Sequence, residues 1–302
     1  AGVGDLAEVA NLLTAAHHLK ALQTIFRKPV AKLTEEELFD LRRLYARARA
    51  ETPNAAPYLL LALMGRMEAP WRALAAYYHL CGAHDEALDG AREEAAVILE
   101  TLFEDLEAGA RTLEKQAAED LDPAEAIMRL AAFAELAEGI SAETRRAGDK
   151  ASANRVEAAR DIAADCLARF AEQSLAAIRK GAPLRHAGGS SRLMGLRPDC
   201  THVVPPPVAA AARDGAAFLA AIGERASLLA RPGVGSAIAA EAAEETARYA
   251  SDLVAEIRAA EGEERAAARR LMDHALTVAA AFMPDHEIAL LRERANAAAL
   301  TA

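Results

Sequence analysis

Aromatic residues are scarce in this 302-residue chain: they make up 4% of it, with seven Phe, five Tyr and one Trp. Hydrophobic residues still reach 53%, so alanine and leucine carry most of the apolar content. Alanine has the best helix propensity and buries little area, which favours slim, closely approaching helices whose cores rest on sparse Leu, Ile and Phe. Runs of β-branched residues alternating with polar ones are missing, and no strand is expected. No apolar run reaches the ~18 residues of a membrane span. A basic excess is missing too. The formal charge of −10 argues against nucleic acid, whose phosphates require a basic face. Cysteine is limited to Cys81, Cys166 and Cys200, far apart and without a CxxC. That odd, sparse count fits a reducing cytoplasm better than a disulfide framework, with room for one bridge at most. The Ala-Gly-Val-Gly start, without Met, fits a processed form or a piece of a larger protein.

Catalytic and cofactor signatures are equally sparse. There is no phosphate-binding P-loop, no Gly-x-Gly-x-x-Gly after a strand and no Gly-x-Ser-x-Gly elbow. Bundle-type dimetal sites use Glu-x-x-His, because positions i and i+3 project together into the core. None of the eight histidines has a Glu three residues before it. Asp199-Cys200-Thr201-His202 brings three ligand-capable groups onto one segment, but no fourth ligand is indicated. No cofactor and no metal are therefore expected. His17 and His18 read as the solvated edge of the first helix, His274 as exposed, and His84 beside Asp85 as a helix-start residue.

What is present is helical periodicity. A first helix is expected over about 5–27, with Val9, Leu12, Leu13, Leu19, Leu22 and Phe26 on one apolar face. Thr34-Glu35-Glu36-Glu37 reads as a capping box that opens a helix to Glu51. A short helix follows from Tyr58 to Arg66, and Pro70 begins the next. Leu88, Ala95, Ile98, Leu102, Leu106, Ala110, Leu113 and Ala117 mark a long helix over 85–117. Asp122-Pro123 starts another, which Gly139 is expected to end. A further stripe runs from Val156 to Ile178, closed by Gly181 and Pro183. Helices resume over about 208–230, 237–260 and 263–283, and Pro284 introduces the last.

The fold class is all-α. Antiparallel helical hairpins form an N-terminal array or bundle over 1–180, followed by a smaller C-terminal three- to four-helix bundle over 208–302. Between them, 181–207 is a non-helical linker or functional loop, long enough to stand out in a compact protein.

Seven of the thirteen aromatics lie in the first 78 residues: Phe26, Phe39, Tyr45, Tyr58, Trp71, Tyr77 and Tyr78. Because Tyr77 and Tyr78 are adjacent, one of them is expected to be at least half exposed. The stretch Trp71, Leu74, Ala75, Tyr78, Gly82 and Ala87 resembles a single tetratricopeptide repeat over about 68–98. Small Ala75 and Ala87 permit close helix packing there, and Trp71 and Tyr78 fill the space beside them. Glu94 and Leu99 depart from the family's pattern, and no second copy follows at a period of ~34 residues. The resemblance implies a protein-binding groove rather than chemistry.

Two functional readings follow. The first is a non-enzymatic helical scaffold or protein-interaction module, a domain of a larger protein, that binds another protein through Tyr58, Trp71, Tyr77 and Tyr78. The second is a helical enzyme or small anionic-ligand binder using 181–207. Here Arg185, Arg192 and Arg197 hold an anion with the Gly188-Gly189-Ser190-Ser191 backbone, and His186 or His202 carries a proton. Gly-Gly-Ser-Ser is also what a flexible linker looks like. A homo-oligomer through the long 85–117 helix is a third reading.

Overall fold

The structure, a computed structural model, describes residues 3–82, 91–119, 122–186, 195–225, 233 and 235–300. The chain is essentially all-α, with twelve α-helices and one two-stranded sheet among the described residues. It divides into two compact units: 1–111 with 132–160, and 112–131 with 161–302. Among the described residues, no helix is long and apolar enough to cross a membrane.

The first unit holds α1 (Val3–Thr14), α2 (Ala16–Ile25), α3 (Glu35–Glu51), α4 (Ala56–Met64) and α5 (Leu74–Cys81). The single helix expected over 5–27 is broken at Ala15, whose ψ of −7° opens the turn between α1 and α2. The apolar face splits with it. Leu22 and Phe26 are buried, whereas Val9, Leu12 and Leu13 are exposed. Thr34 caps α3 as its sequence dictates: its hydroxyl accepts from Glu37 N–H, and the Glu37 carboxylate accepts from Thr34 N–H. Val30 then exchanges two backbone hydrogen bonds with the segment after α4, from its own N–H to Arg66 O and from Glu68 N–H to its carbonyl. Pro70 starts a 3₁₀ turn, Pro70–Ala73, that leads into α5.

Three longer helices follow: α6 (Ala91–Ala118), α7 (Pro123–Ala147) and α8 (Lys150–Gly181). Their apolar stripes are largely buried, with Phe103 and Phe170 fully enclosed, each stabilising the fold by about 2–3 kcal/mol. The α6 stripe of Ala95, Ile98, Leu102, Leu106, Ala110, Leu113 and Ala117 is buried within a single chain. Gly139 does not end α7, which continues to Ala147. The residue serves packing instead: the Trp71 indole lies on it so closely that a Cβ would sit 2.3 Å from the ring. The helix stops at Gly148, in the left-handed region at φ +69°. Asp149 then caps α8, accepting from Ser152 N–H and Ser152 Oγ–H.

In the second unit α9 (Pro206–Arg225), α11 (Gly262–Ala279) and α12 (Asp285–Leu300) pack on α10 (Ser236–Ala259). Tyr249, Leu253, Ile257, Leu271, Met272, Leu276, Ile288 and Leu291 form the core of this group, and Cys200 joins it. Helices α8 and α9 meet at Gly215, where a Cβ would stand 2.9 Å from Ser174 O. Beside that contact Phe170 and Phe218 pack edge to face, 5.9 Å between centroids.

Candidate functional site

Strands do form where none was expected, but they are short. Pro183 cannot continue α8, and the chain turns into β1 (Leu184–His186), paired antiparallel with β2 (Leu196–Pro198). The base of this ribbon is fixed by one carbonyl, Pro183 O, which accepts from Asp199 N–H at 2.8 Å and from Tyr249 O–H at 3.2 Å. Asp199 Oδ1 accepts from Thr201 N–H and from its hydroxyl. This Asx turn points Cys200 inward and leaves His202 exposed. Burial pushes the Cys200 thiol pKa up, so it stays protonated as a core residue. Asp199, Cys200 and His202 are not gathered into a ligand set.

Arg185 and Arg197 sit directly opposite each other in the ribbon, where like charges repel. The Glu256 carboxylate of α10 relieves this. Its Oε2 lies 3.2 Å from Arg185 Nη2 and its Oε1 3.8 Å from Arg197 Nη1. Glu256 is mostly buried while the two arginines are about half exposed, so the ribbon is tied to α10 through one shielded anion.

Two cavities flank this arrangement within the second unit. The larger, about 730 Å³, is walled by Ala259, Ala260, Ala266, Ala267 and Leu271 on one side and by Val203 and Val204 on the other. Its charged lining is Arg185 and Arg270 against Glu256, Glu263 and Glu264. The smaller, about 480 Å³, lies under Leu184 and Leu196 and is mainly apolar, with Ile178, Ala182, Tyr249 and Val278 in its wall. His274 lines both. Contrary to the exposed position expected for it, this ring is partly buried beside Gly181, whose lack of a side chain leaves it room. Burial lowers its pKa, against a hydrogen bond to the Gly181 backbone that raises it. The imidazole is therefore neutral at neutral pH.

Of the residues expected for a ligand site in 181–207, Arg185 and His202 line the larger cavity. Arg197 reaches Glu256 but lies outside the cavity wall, and His186 is exposed on β1. Arg192 and the 188–191 backbone lie outside the described residues, as do His84 and Asp85. Glu256, Glu263, Glu264, Arg270 and His274 were missed. In sequence they look like ordinary charged helix positions, and only the placement of Arg185 and residues 200–204 beside α10 and α11 gives them a common cavity.

The aromatics proposed for partner binding lie in the first unit. Tyr58 and Trp71 are partly buried, and Trp71 is seated on Gly139. Tyr77 is buried and Tyr78 partly buried, so neither is half exposed. Their rings diverge edge to face, 4.9 Å apart, which lets both find cover. Tyr78 O–H donates to Asp149 Oδ2 at 3.1 Å, and burial pushes its pKa up. His18 is not at a solvated edge: it is 1% exposed, and with His17 it faces Glu51.

Compared with protein-family models, with curated proteins and with solved structures, the chain matches none. The functional reading therefore rests on the site itself.

Proposed function

We propose that the protein binds a small zwitterionic ligand in the 730 Å³ cleft of its second unit. One observation carries this: a cavity of ligand size whose α10–α11 wall sets Ala259, Ala266, Ala267 and Leu271 among side chains of both charge signs. Glu256 is taken up by Arg185 and Arg197, so among the described lining residues Arg270 is a cation, and Glu263 and Glu264 are anions, outside that cluster. A simple anion meets Arg270 but is repelled by two carboxylates. A molecule with both an acidic group and an ammonium satisfies both. His202 and the neutral His274 add hydrogen-bonding capacity beside them.

Thermal-shift screening of zwitterionic metabolites, with inorganic phosphate and simple amines as counterparts, tests the reading. Zwitterions should stabilise the wild type, and Arg270→Ala or Glu263→Gln with Glu264→Gln should abolish the shift. Equal shifts from phosphate alone, or shifts indifferent to these substitutions, would refute it.

A second reading, a protein-interaction module, draws on the exposed Val9, Leu12 and Leu13 of α1 rather than on the aromatic cluster. Sedimentation of the wild type against Leu12→Glu with Leu13→Glu tests it: association should disappear in the variant, and a monomeric wild type that captures no partner removes this reading.

A further inference from the structure

Helix α2 presents two consecutive histidines to the last residue of α3. Glu51 Oε2 lies 3.2 Å from His17 Nε2 and 3.4 Å from His18 Nε2, and the three atoms fall within 4.8 Å of one another. The two imidazoles are stacked at 3.7 Å, tilted by 41°. His18 is almost wholly buried, yet its Nε2 has no hydrogen-bond partner, despite the carboxylate oxygen nearby. A buried ring nitrogen left this way calls for an explanation, since buried polar atoms are normally satisfied.

We infer that His17, His18 and Glu51 form a binding site for a late first-row divalent cation, Zn²⁺ being the natural occupant. Metal bonds of about 2.0–2.1 Å at tetrahedral angles place ligand atoms roughly 3.3 Å apart. Both measured separations from Glu51 Oε2 match that spacing. Two imidazoles with one carboxylate are a donor set suited to Zn²⁺ rather than to Mg²⁺ or Ca²⁺. Arg47 Nε donates to the other carboxylate oxygen, Oε1, at 2.8 Å and so fixes the orientation of Glu51, while Oε2 is hydrogen-bonded to His17 Nε2, a contact that a metal would replace. His17 and Glu51 are both partly open to solvent, which leaves the fourth position to water.

The test is zinc titration of the protein stripped with EDTA, followed calorimetrically, with Co²⁺ as a spectroscopic substitute. One Zn²⁺ per chain and the intense visible bands of tetrahedral Co²⁺ are expected. His18→Ala and Glu51→Gln should each weaken binding at least about tenfold, and His286→Ala, a histidine on α12, should leave it unchanged. Circular dichroism verifies the fold. If His18→Ala unfolds, Glu51→Gln, which keeps the side-chain shape, decides alone. Absence of stoichiometric binding, unchanged affinity in Glu51→Gln, or equal loss in His286→Ala overturns the site.

Discussion

Replacing Gly139 by alanine sets two effects of opposite sign against each other. In an ordinary helix interior the change stabilises by about 1 kcal/mol, because alanine loses less backbone entropy. Here the new Cβ would lie 2.3 Å from Cε2 and Nε1 of Trp71 and 2.4 Å from Cδ1. Ordinary carbon contact begins near ~3.5 Å, so the rigid indole must retreat by about 1.2 Å. Overpacking of this kind costs roughly 1–3 kcal/mol. The net expectation for Gly139→Ala is destabilisation by about 1 kcal/mol. A double-mutant cycle with Trp71→Leu isolates the cause. With the ring removed, Gly139→Ala should stabilise by about 1 kcal/mol, which gives a coupling of roughly 2 kcal/mol. Urea titrations followed by far-UV circular dichroism measure all four proteins. Trp71 is the only tryptophan, so its fluorescence reports the first unit separately in the two proteins that retain it. Greater stability of Gly139→Ala in the parent background would refute the reasoning.

Three further outcomes are expected. Gly215→Ala brings a Cβ to 2.9 Å from Ser174 O, a backbone atom that cannot move aside; chemical denaturation should show a loss of about 1–2 kcal/mol after the helix gain is subtracted. Thr34→Ala removes the hydroxyl that accepts from Glu37 N–H and donates to the Glu37 carboxylate, and leaves only the backbone half of the capping box; the same assay should show a loss of about 1 kcal/mol. The third concerns pH. His274 is held below its ordinary value of 6.5, so near that pH the unfolded chain takes up a proton that the folded chain refuses. Its contribution is full above pH 6.5 and is lost as the pH falls through and below it. His274→Gln should therefore flatten the acid-side fall in melting temperature, and only in part, because His18 is shifted in the same direction.

What was legible in the sequence was whatever a single segment decides. Thr34 and Glu37 make a capping box three residues apart, and the stop after α8 follows from Gly181 and Pro183 on their own. Gly139 was misread because its role depends on Trp71, a partner far away in sequence. The break at Ala15 carries no Gly or Pro to announce it. The cleft was half legible. Its odd composition drew attention to 181–207, and Arg185 and His202 line the cavity. Glu256, Arg270 and His274 are invisible as site residues, since each sits in a helix pattern that a solvated face would produce equally well. The pairing of His17 and His18 with Glu51 spans two helices and has no local signature.

Native mass spectrometry of the protein isolated gently from its own source tests the ligand cleft most directly. The account predicts one small organic adduct per chain on the wild type and none on Arg270→Ala. A bare wild type, or an adduct kept by Arg270→Ala, would contradict it.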